Sequence, residues 1–559
     1  MKKFPFSLLL LFMIPFCVHA QNRDDQNLET AKNLEVFNAI YKNLDLMYVD
    51  TLNSKEVIGT GINAMLQSLD PYTEYYPEDK TQLLKRFISG KYGGIGALIR
   101  YNQAIKSSVI DEPYANMPAA EVGLKKGDII LFIDDSTMVG KDNAYVSDHL
   151  RGEPGSTFVL KIKRPTTNKL MSFKIKRRAI QMPAIPYYGM QPGNIGYINL
   201  YQFYEGCAKE VRQAFVELKK AGAKGLVLDL RGNGGGSEQE AVDLVNIFIP
   251  KDVTVVTNKG KMKRANMEFK TRMEPIDTIM PIVVLVNGMT ASASEITSGS
   301  LQDLDRAVVL GARTYGKGLV QMTMDMPYNG NMKLTTAHYY IPSGRCIQAI
   351  NYKHSNGGYT EHLPDSLTRV FYTKNGRQVR DGGGVMPDVE IKPDTIANIS
   401  AYLQGVDSTE TMLNYVVDYI AKHKTIASPT EFELSDNDFS EFKRQVIHNK
   451  FTYDPGSEKI LKELEKMARF EGYYDESKAE FEALKKKLTH DVAKDLELNK
   501  NELKQIISTE IISAYYFQAG AIENGLRYDK QMKEALRLLN APQEYKQILA
   551  PKNTKNTKL

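Results

Sequence analysis

Between Thr30 and Asp50 the apolar residues Leu34, Phe37, Tyr41, Leu44 and Met47 recur every three or four positions, the period of one helix face. The chain is therefore expected to open with an amphipathic helix. A second helix is predicted from Ser54 to Leu69 and ends at Asp70-Pro71, where the proline disfavours helical backbone before it. The pattern then shortens. Between Lys91 and Arg178, β-type runs at 128–133, 158–163 and 171–176, separated by Gly and Pro, describe a small, mostly β module. From Asn194 onward strands and helices alternate: 195–200, a helix near 208–220, 225–230, a helix after Ser237, 253–256, 282–286, a helix after Ala291, and 308–310. Alternation of this kind predicts an α/β core with parallel pairing. After Asp394 the chain reads as helical and charged, with Leu503, Ile506, Ile507, Ile511 and Tyr515 on one face.

The first twenty residues have a different pattern. Met1-Lys2-Lys3 precedes an apolar run from Phe4 to Val18 and then His19-Ala20, the three parts of a secretory signal peptide cut after Ala20. The run is too short for a membrane span and contains Pro5 and Pro15. The expected mature protein starts at Gln21, is soluble, and is exported to the periplasm or another compartment outside the cytoplasm. Only Cys207 and Cys346 then remain, which leaves one disulfide open and excludes a disulfide-built scaffold. A length of 559 residues predicts several domains, and 25% charged residues with 42% hydrophobic ones is an ordinary globular balance. The formal net charge of +5 is too weak to imply a nucleic-acid partner.

The candidate chemistry narrows by spacing. No His-Glu-x-x-His pair or cysteine cluster supports a zinc site. The turn Gly232–Ser237 fails the dinucleotide fingerprint at its last position. Gly311–Gly318 resembles a phosphate-binding loop but lacks the magnesium-binding hydroxyl, and the strand-like 319–322 follows where a helix is required. A third turn, Asn287–Glu295, lies where an apolar strand gives way to a helix. Ser292-x-x-Glu295 fits a capping box, yet a hydroxyl beside free helix-start amides also suits a nucleophile. Lys317 lies between two glycines, where close backbone packing can desolvate an amine and favour its neutral form. A solvated loop lysine is the competing reading.

Ser292-Ala293-Ser294-Glu295-Ile296, Gln302-Asp303, Arg306-Ala307 and Thr314–Gln321 together resemble the catalytic stretch of the carboxyl-terminal processing (tail-specific) serine peptidases. The resemblance implies a serine and a lysine 25 positions apart as catalytic dyad, which selects Ser292 and Lys317. Further similar segments run in family order: Leu66–Tyr72; Gly93–Ala97 with Pro118–Ala120, Gly123–Ile130 and Leu150–Gly152, as in a PDZ module; Ile195–Ile198 and Leu228–Gly236; Pro342–Arg345; and Gly384–Asp388. Thr290 stands where the family often has serine, and Gly232-Asn233-Gly234-Gly235-Gly236 replaces a more usual Asn-Asn-Pro-Gly-Gly.

The resemblance implies N-terminal helices (21–88), an inserted PDZ-like β-rich module (89–178), an α/β peptidase core with a mixed sheet and flanking helices (179–395), and an α-helical C-terminal region (396–559). It further implies a serine endopeptidase that needs no metal or organic cofactor. Ser292 would be the nucleophile and Lys317 the base, with Gln321 orienting Lys317 and the amides of Ala293 and Gly235 holding the oxyanion. The loop Gly94, Ile95, Gly96 and Ala97 would bind the free, apolar C-termini of protein or peptide substrates. A homo-oligomer or an adaptor is left open. The alternative is a catalytically silent PDZ-containing binding or scaffold protein.

Overall fold

The structure, a computed structural model, describes residues 14–349, 364–392, 395–405, 407–453, 456–489 and 491–551. The expected signal peptide lies outside the described residues over positions 1–13, and its remainder runs into the helix Ile14–Met47. The second helix, Ser54–Gln67, starts where predicted because the Asn53 side chain caps it, accepting from the Lys55 N–H at 3.1 Å. The apolar stripe of the first helix forms without being covered: Leu34, Phe37 and Met47 are 59%, 50% and 72% exposed.

The β module is an antiparallel sheet in the order Ala97–Asn102, Ser107–Pro113, Ile129–Ile133, Thr157–Arg164, Lys169–Lys176. Its alternate residues Ile110, Ile130, Leu160, Ile162 and Ile175 meet in one buried core. Ala97–Asn102 is an edge strand, and the helix Asn143–Leu150, capped by Asp142, packs beside it. A ribbon of Lys91–Gly94 paired with Arg178–Gln181 marks where the chain enters and leaves.

The core sheet runs Tyr187–Gln191, Ile195–Asn199, Gly225–Asp229, Ile282–Val286, Val308–Gly311, Val389–Glu390; its first pair is antiparallel and the rest parallel. Its strands are apolar on both faces, as a doubly covered sheet requires. Ile198, Leu228, Val284 and Val309 pack against helices Cys207–Lys220, Glu238–Val245 and Ala293–Asp303. Tyr197, Val227, Leu285 and Leu310 face the other way, onto helices Lys530–Leu539 and Pro542–Leu549. There the Tyr545 hydroxyl donates to the Ile282 carbonyl and accepts its N–H, each at 2.9 Å.

One expected element joins a different layer. The run at 253–256 belongs to Thr254–Gly260, which pairs with Gly330–Tyr340 in a second, antiparallel sheet. Glu74–Tyr76, Met267–Lys270 and Leu319–Met326 complete that sheet. The helical C-terminal region also has two destinations. Leu503, Ile507 and Ile511 bury in a helical core with Tyr415, Phe439 and Phe442, whereas the last two helices cover the core sheet. The helical core also grips the β module: Leu413 and Val417 pack on Val109, Glu410 pairs with Arg100, and Lys126 bridges Asp111 (3.1 Å) and Glu510 (3.0 Å).

Candidate active site

The apolar strand Ile282–Val286 ends in a tight turn that leads directly into the buried helix Ala293–Asp303. Thr290 fixes this turn: its hydroxyl donates to the Leu230 carbonyl and accepts the Asn287 N–H, both at 2.9 Å. Ser292 is the residue before the helix, with φ 58° and ψ −118°. An L-residue pays strain for that backbone, and such strain persists only where surrounding contacts over-determine it. A strained strand-to-helix turn is also how some hydrolases present a nucleophilic serine.

Those contacts converge on Glu295, which is wholly buried. Its carboxylate accepts four hydrogen bonds: from the N–H groups of Ser292 (2.9 Å), Gly316 (2.7 Å) and Lys317 (2.9 Å), and from the Thr314 hydroxyl (2.5 Å). The predicted capping box is therefore present, and the Glu295 N–H also reaches the Ser292 carbonyl at 2.8 Å. The same carboxylate joins the serine turn to the lysine loop. Burial pushes Glu295 up to about 7, against the pull of its four donors. Tyr339 adds a second tie, its hydroxyl reaching the carbonyls of both Ser292 (3.2 Å) and Lys317.

Lys317 follows Gly316, and a strand, Leu319–Met326, follows Gly318, contrary to the geometry of a phosphate-binding loop. Its amine lies 4.2 Å from the centroid of the Tyr72 ring. Among the described residues it forms no ion pair and no hydrogen bond, including none to Ser292. Burial, then the neighbouring Lys333, lowers Lys317 to about 8, while Glu295, Asp70 and Glu74 oppose the shift.

The glycine turn lies against the serine. Gly235 has φ +99°, and a Cβ there would come within 2.7 Å of both the Ala291 carbonyl oxygen and Ser292 Cβ. Only glycine allows this approach with this backbone. The Gly235 N–H, expected to face an oxyanion, donates instead to Asn233 Oδ1 at 2.9 Å. Asn233 further accepts the Ala291 N–H (3.0 Å) and the Ser294 hydroxyl (3.0 Å) on its carbonyl. Ala293, the other expected donor, opens the helix and is buried.

The expected link from Gln321 to Lys317 is absent from this conformation. Gln321 Nε2 donates to the Thr335 hydroxyl at 3.1 Å, because the two residues are paired across the hairpin after a bulge between Val320 and Gln321. Gly94, Ile95, Gly96 and Ala97 lie together at the start of the edge strand of the β module. The carbonyls of Ile95 and Gly96 are used inward, by the N–H groups of Ala119 and Tyr114 at 2.9 Å each. Cys207 and Cys346 are both free thiols.

Sequence reasoning gave no individual role to Tyr72, Thr314, Asn233 or Tyr339, although the first three lie inside the segments that carry the resemblance. Tyr72 and Tyr339 reach the site from other parts of the chain, and for Thr314 and Asn233, neighbours of Lys317 and Gly235, no local spacing announces which atoms they bind.

Residues 194–354 match the peptidase family S41, residues 109–164 a PDZ domain, and residues 402–539 the C-terminal helical domain of a probable PDZ-protease. The chain is 35% identical over 332 residues to a carboxy-terminal-processing protease of Bartonella bacilliformis, which spans 58% of this chain and 75% of that one. It is 31% identical over 436 residues to a probable CtpA-like serine protease of Staphylococcus aureus, covering 77% and 82%. Among solved structures it is similar to the photosystem II D1 C-terminal processing protease at 26% identity, covering 64% of this chain and 87% of that one with a TM-score of 0.35. The protein is thus a peptidase that carries a PDZ domain and a helical C-terminal domain. It belongs to peptidase family S41.

Proposed function

We propose that the protein is an exported carboxyl-terminal-processing serine endopeptidase, which holds substrate tails in its PDZ domain and cuts upstream of them with Ser292 and Lys317. The observation that carries this reading is the shared Glu295 carboxylate, which fixes the backbone of a strained Ser292 and of a desolvated Lys317 to one oxygen. Neutral Lys317 takes the proton from Ser292 Oγ as that oxygen bonds to the peptide carbonyl carbon. The protonated amine then gives this proton to the departing amine, and water releases the acyl group by the same route. Ala293 N–H holds the oxyanion, joined by Gly235 N–H once it leaves Asn233. Each such donor is worth about 10²–10³ in rate.

The edge strand Ala97–Asn102 and the neighbouring helix Asn143–Leu150 supply the groove in which an extended tail adds as another strand. Its carboxylate would lie at the Gly94–Ala97 loop. The absence of a Ser292–Lys317 hydrogen bond and the inward Gly235 N–H describe a resting arrangement, one whose parts need rearrangement before chemistry.

The test is cleavage of an unfolded protein ending in apolar residues by wild type, Ser292→Ala and Lys317→Ala. Each substitution is expected to lower the rate at least about a thousandfold, and undiminished cleavage by either removes that residue from its role. Export is checked by N-terminal sequencing of the protein recovered outside the cytoplasm, which should begin at Gln21.

A further inference from the structure

The turn Asp70–Thr73 is held unusually firmly for a connection between a helix and a three-residue strand. Asp70, 7% exposed, accepts the N–H groups of Tyr72 and Thr73 (2.8 Å each) and the Thr73 hydroxyl (2.9 Å). The Thr73 hydroxyl accepts the Thr335 N–H at 3.2 Å, and the next residues, Glu74–Tyr76, pair with the hairpin strand Gly330–Tyr340. The Tyr72 hydroxyl meets that of Tyr315 at 3.3 Å, two residues before Lys317. The result is a fixed aromatic face with the Lys317 amine above it.

An aromatic face attracts an ammonium ion and gains nothing comparable from a neutral amine. The stack therefore opposes the proton loss that general-base action requires. We propose that Tyr72 is a positioning residue that parks the Lys317 amine in its protonated form, out of reach of Ser292, until displacement of the Asp70–Thr73 turn releases it. This inference rests on the Ser292–Lys317 reading above. The turn precedes the ribbon strand Lys91–Gly94 by fewer than twenty residues, so movement of the PDZ domain can reach it through the short helix Thr81–Ser89. The other groups around the amine are Asp70 and Glu74 from the same segment, Lys333 from the hairpin, and Glu295 from the catalytic helix. Only the ring depends on π electron density, which separates its contribution from theirs.

The experiment replaces Tyr72 by phenylalanine and then by 4-fluoro- and 3,4,5-trifluorophenylalanine, a series that keeps shape while draining the π face, with Tyr72→Leu as its end point. In a Ser292→Ala background, the pH dependence of Lys317 acetylation by acetic anhydride is followed by mass spectrometry. The midpoint should fall stepwise along the series, by about 0.5–1 pH unit in all. With Ser292 intact, cleavage of a short peptide at pH 7 should rise several-fold along the same series. A flat or rising midpoint overturns the proposal, as does cleavage that falls as the ring is drained. Undiminished cleavage by Lys317→Ala would instead defeat the dyad reading, and the labelling series would still report on the stack.

Discussion

The serine and lysine halves of the site are held in opposite ways. Around Ser292 every tie is backbone or buried: Thr290 to Leu230, Ala291 to Asn233, and Ser292 N–H to Glu295. Lys317 shares that rigidity only in its backbone, whose N–H also goes to Glu295 and whose carbonyl accepts the Tyr339 hydroxyl, and its amine is held by a ring from a segment some 245 positions earlier. The first half forms as the core folds. The second can be changed by moving one turn, so regulation acts on the base and leaves the nucleophile's frame intact.

The variant that most directly breaks this contrast is Glu295→Ala, since it strikes the tie common to both halves. It strands three backbone N–H groups and the Thr314 hydroxyl in a buried place, at about 1–3 kcal/mol for each one left unpaired. Activity should be lost at least a hundredfold, with a drop in stability of several kcal/mol read by denaturant titration. Equal stability to wild type would mean that the carboxylate does not organise the site. Gly235→Ala comes next. The added methyl meets Ser292 Cβ and the Ala291 carbonyl oxygen at 2.7 Å, so the serine side should lose about 10²-fold in kcat/KM. The midpoint of Lys317 acetylation should stay in place, because nothing on the lysine side moves.

A pH profile sharpens the lysine half without any substitution. Lys317, lowered to about 8, is protonated below that pH and cannot act as base. Log kcat/KM should therefore rise by about one per pH unit up to a bend near pH 8 and level off above it. A profile flat from pH 6 to 9 would exclude a titrating amine as the base.

What the sequence disclosed follows the same divide between local and distant. Four core strands, at 195–199, 225–229, 282–286 and 308–311, were visible because each is mostly apolar, whereas the edge strands Tyr187–Gln191 and Val389–Glu390 carry no such run and were missed; the helix starts at Ser237 and Ser292 were visible because capping is a four-residue rule. The Ser292–Lys317 pairing came from resemblance alone, as no period links positions so far apart. The departure of 253–256 to the second sheet, the cover that Leu538 and Tyr545 provide for the core sheet, and the Tyr72 stack were all invisible. Each depends on where a distant segment docks, and amphipathic spacing gives a buried face without saying what covers it. Gly235 is an intermediate case: its place beside the oxyanion was implied by the resemblance, whereas the need for glycine there and the direction of its N–H depend on how Ser292 and the side chain of Asn233 pack against it.

Gln321 carries the smallest expected effect and the finest distinction. Resemblance assigns it to Lys317, yet its side-chain amide is spent on Thr335, whose own N–H reaches Thr73 in the turn that carries Tyr72. If that bond chiefly steadies the hairpin against the Tyr72 turn, Gln321→Ala removes one neutral hydrogen bond. Such a bond is worth about 1 kcal/mol, hence roughly a fivefold change in any equilibrium it biases. Cleavage should then change by less than about tenfold, and the pH bend should stay near 8 because no charge near the amine is altered. If Gln321 instead turns to Lys317 in the working enzyme, the loss should approach that of Lys317→Ala and the bend should move. Gln321→Glu separates the two further: a carboxylate in reach of the amine would raise the bend, whereas one left on Thr335 would hardly shift it.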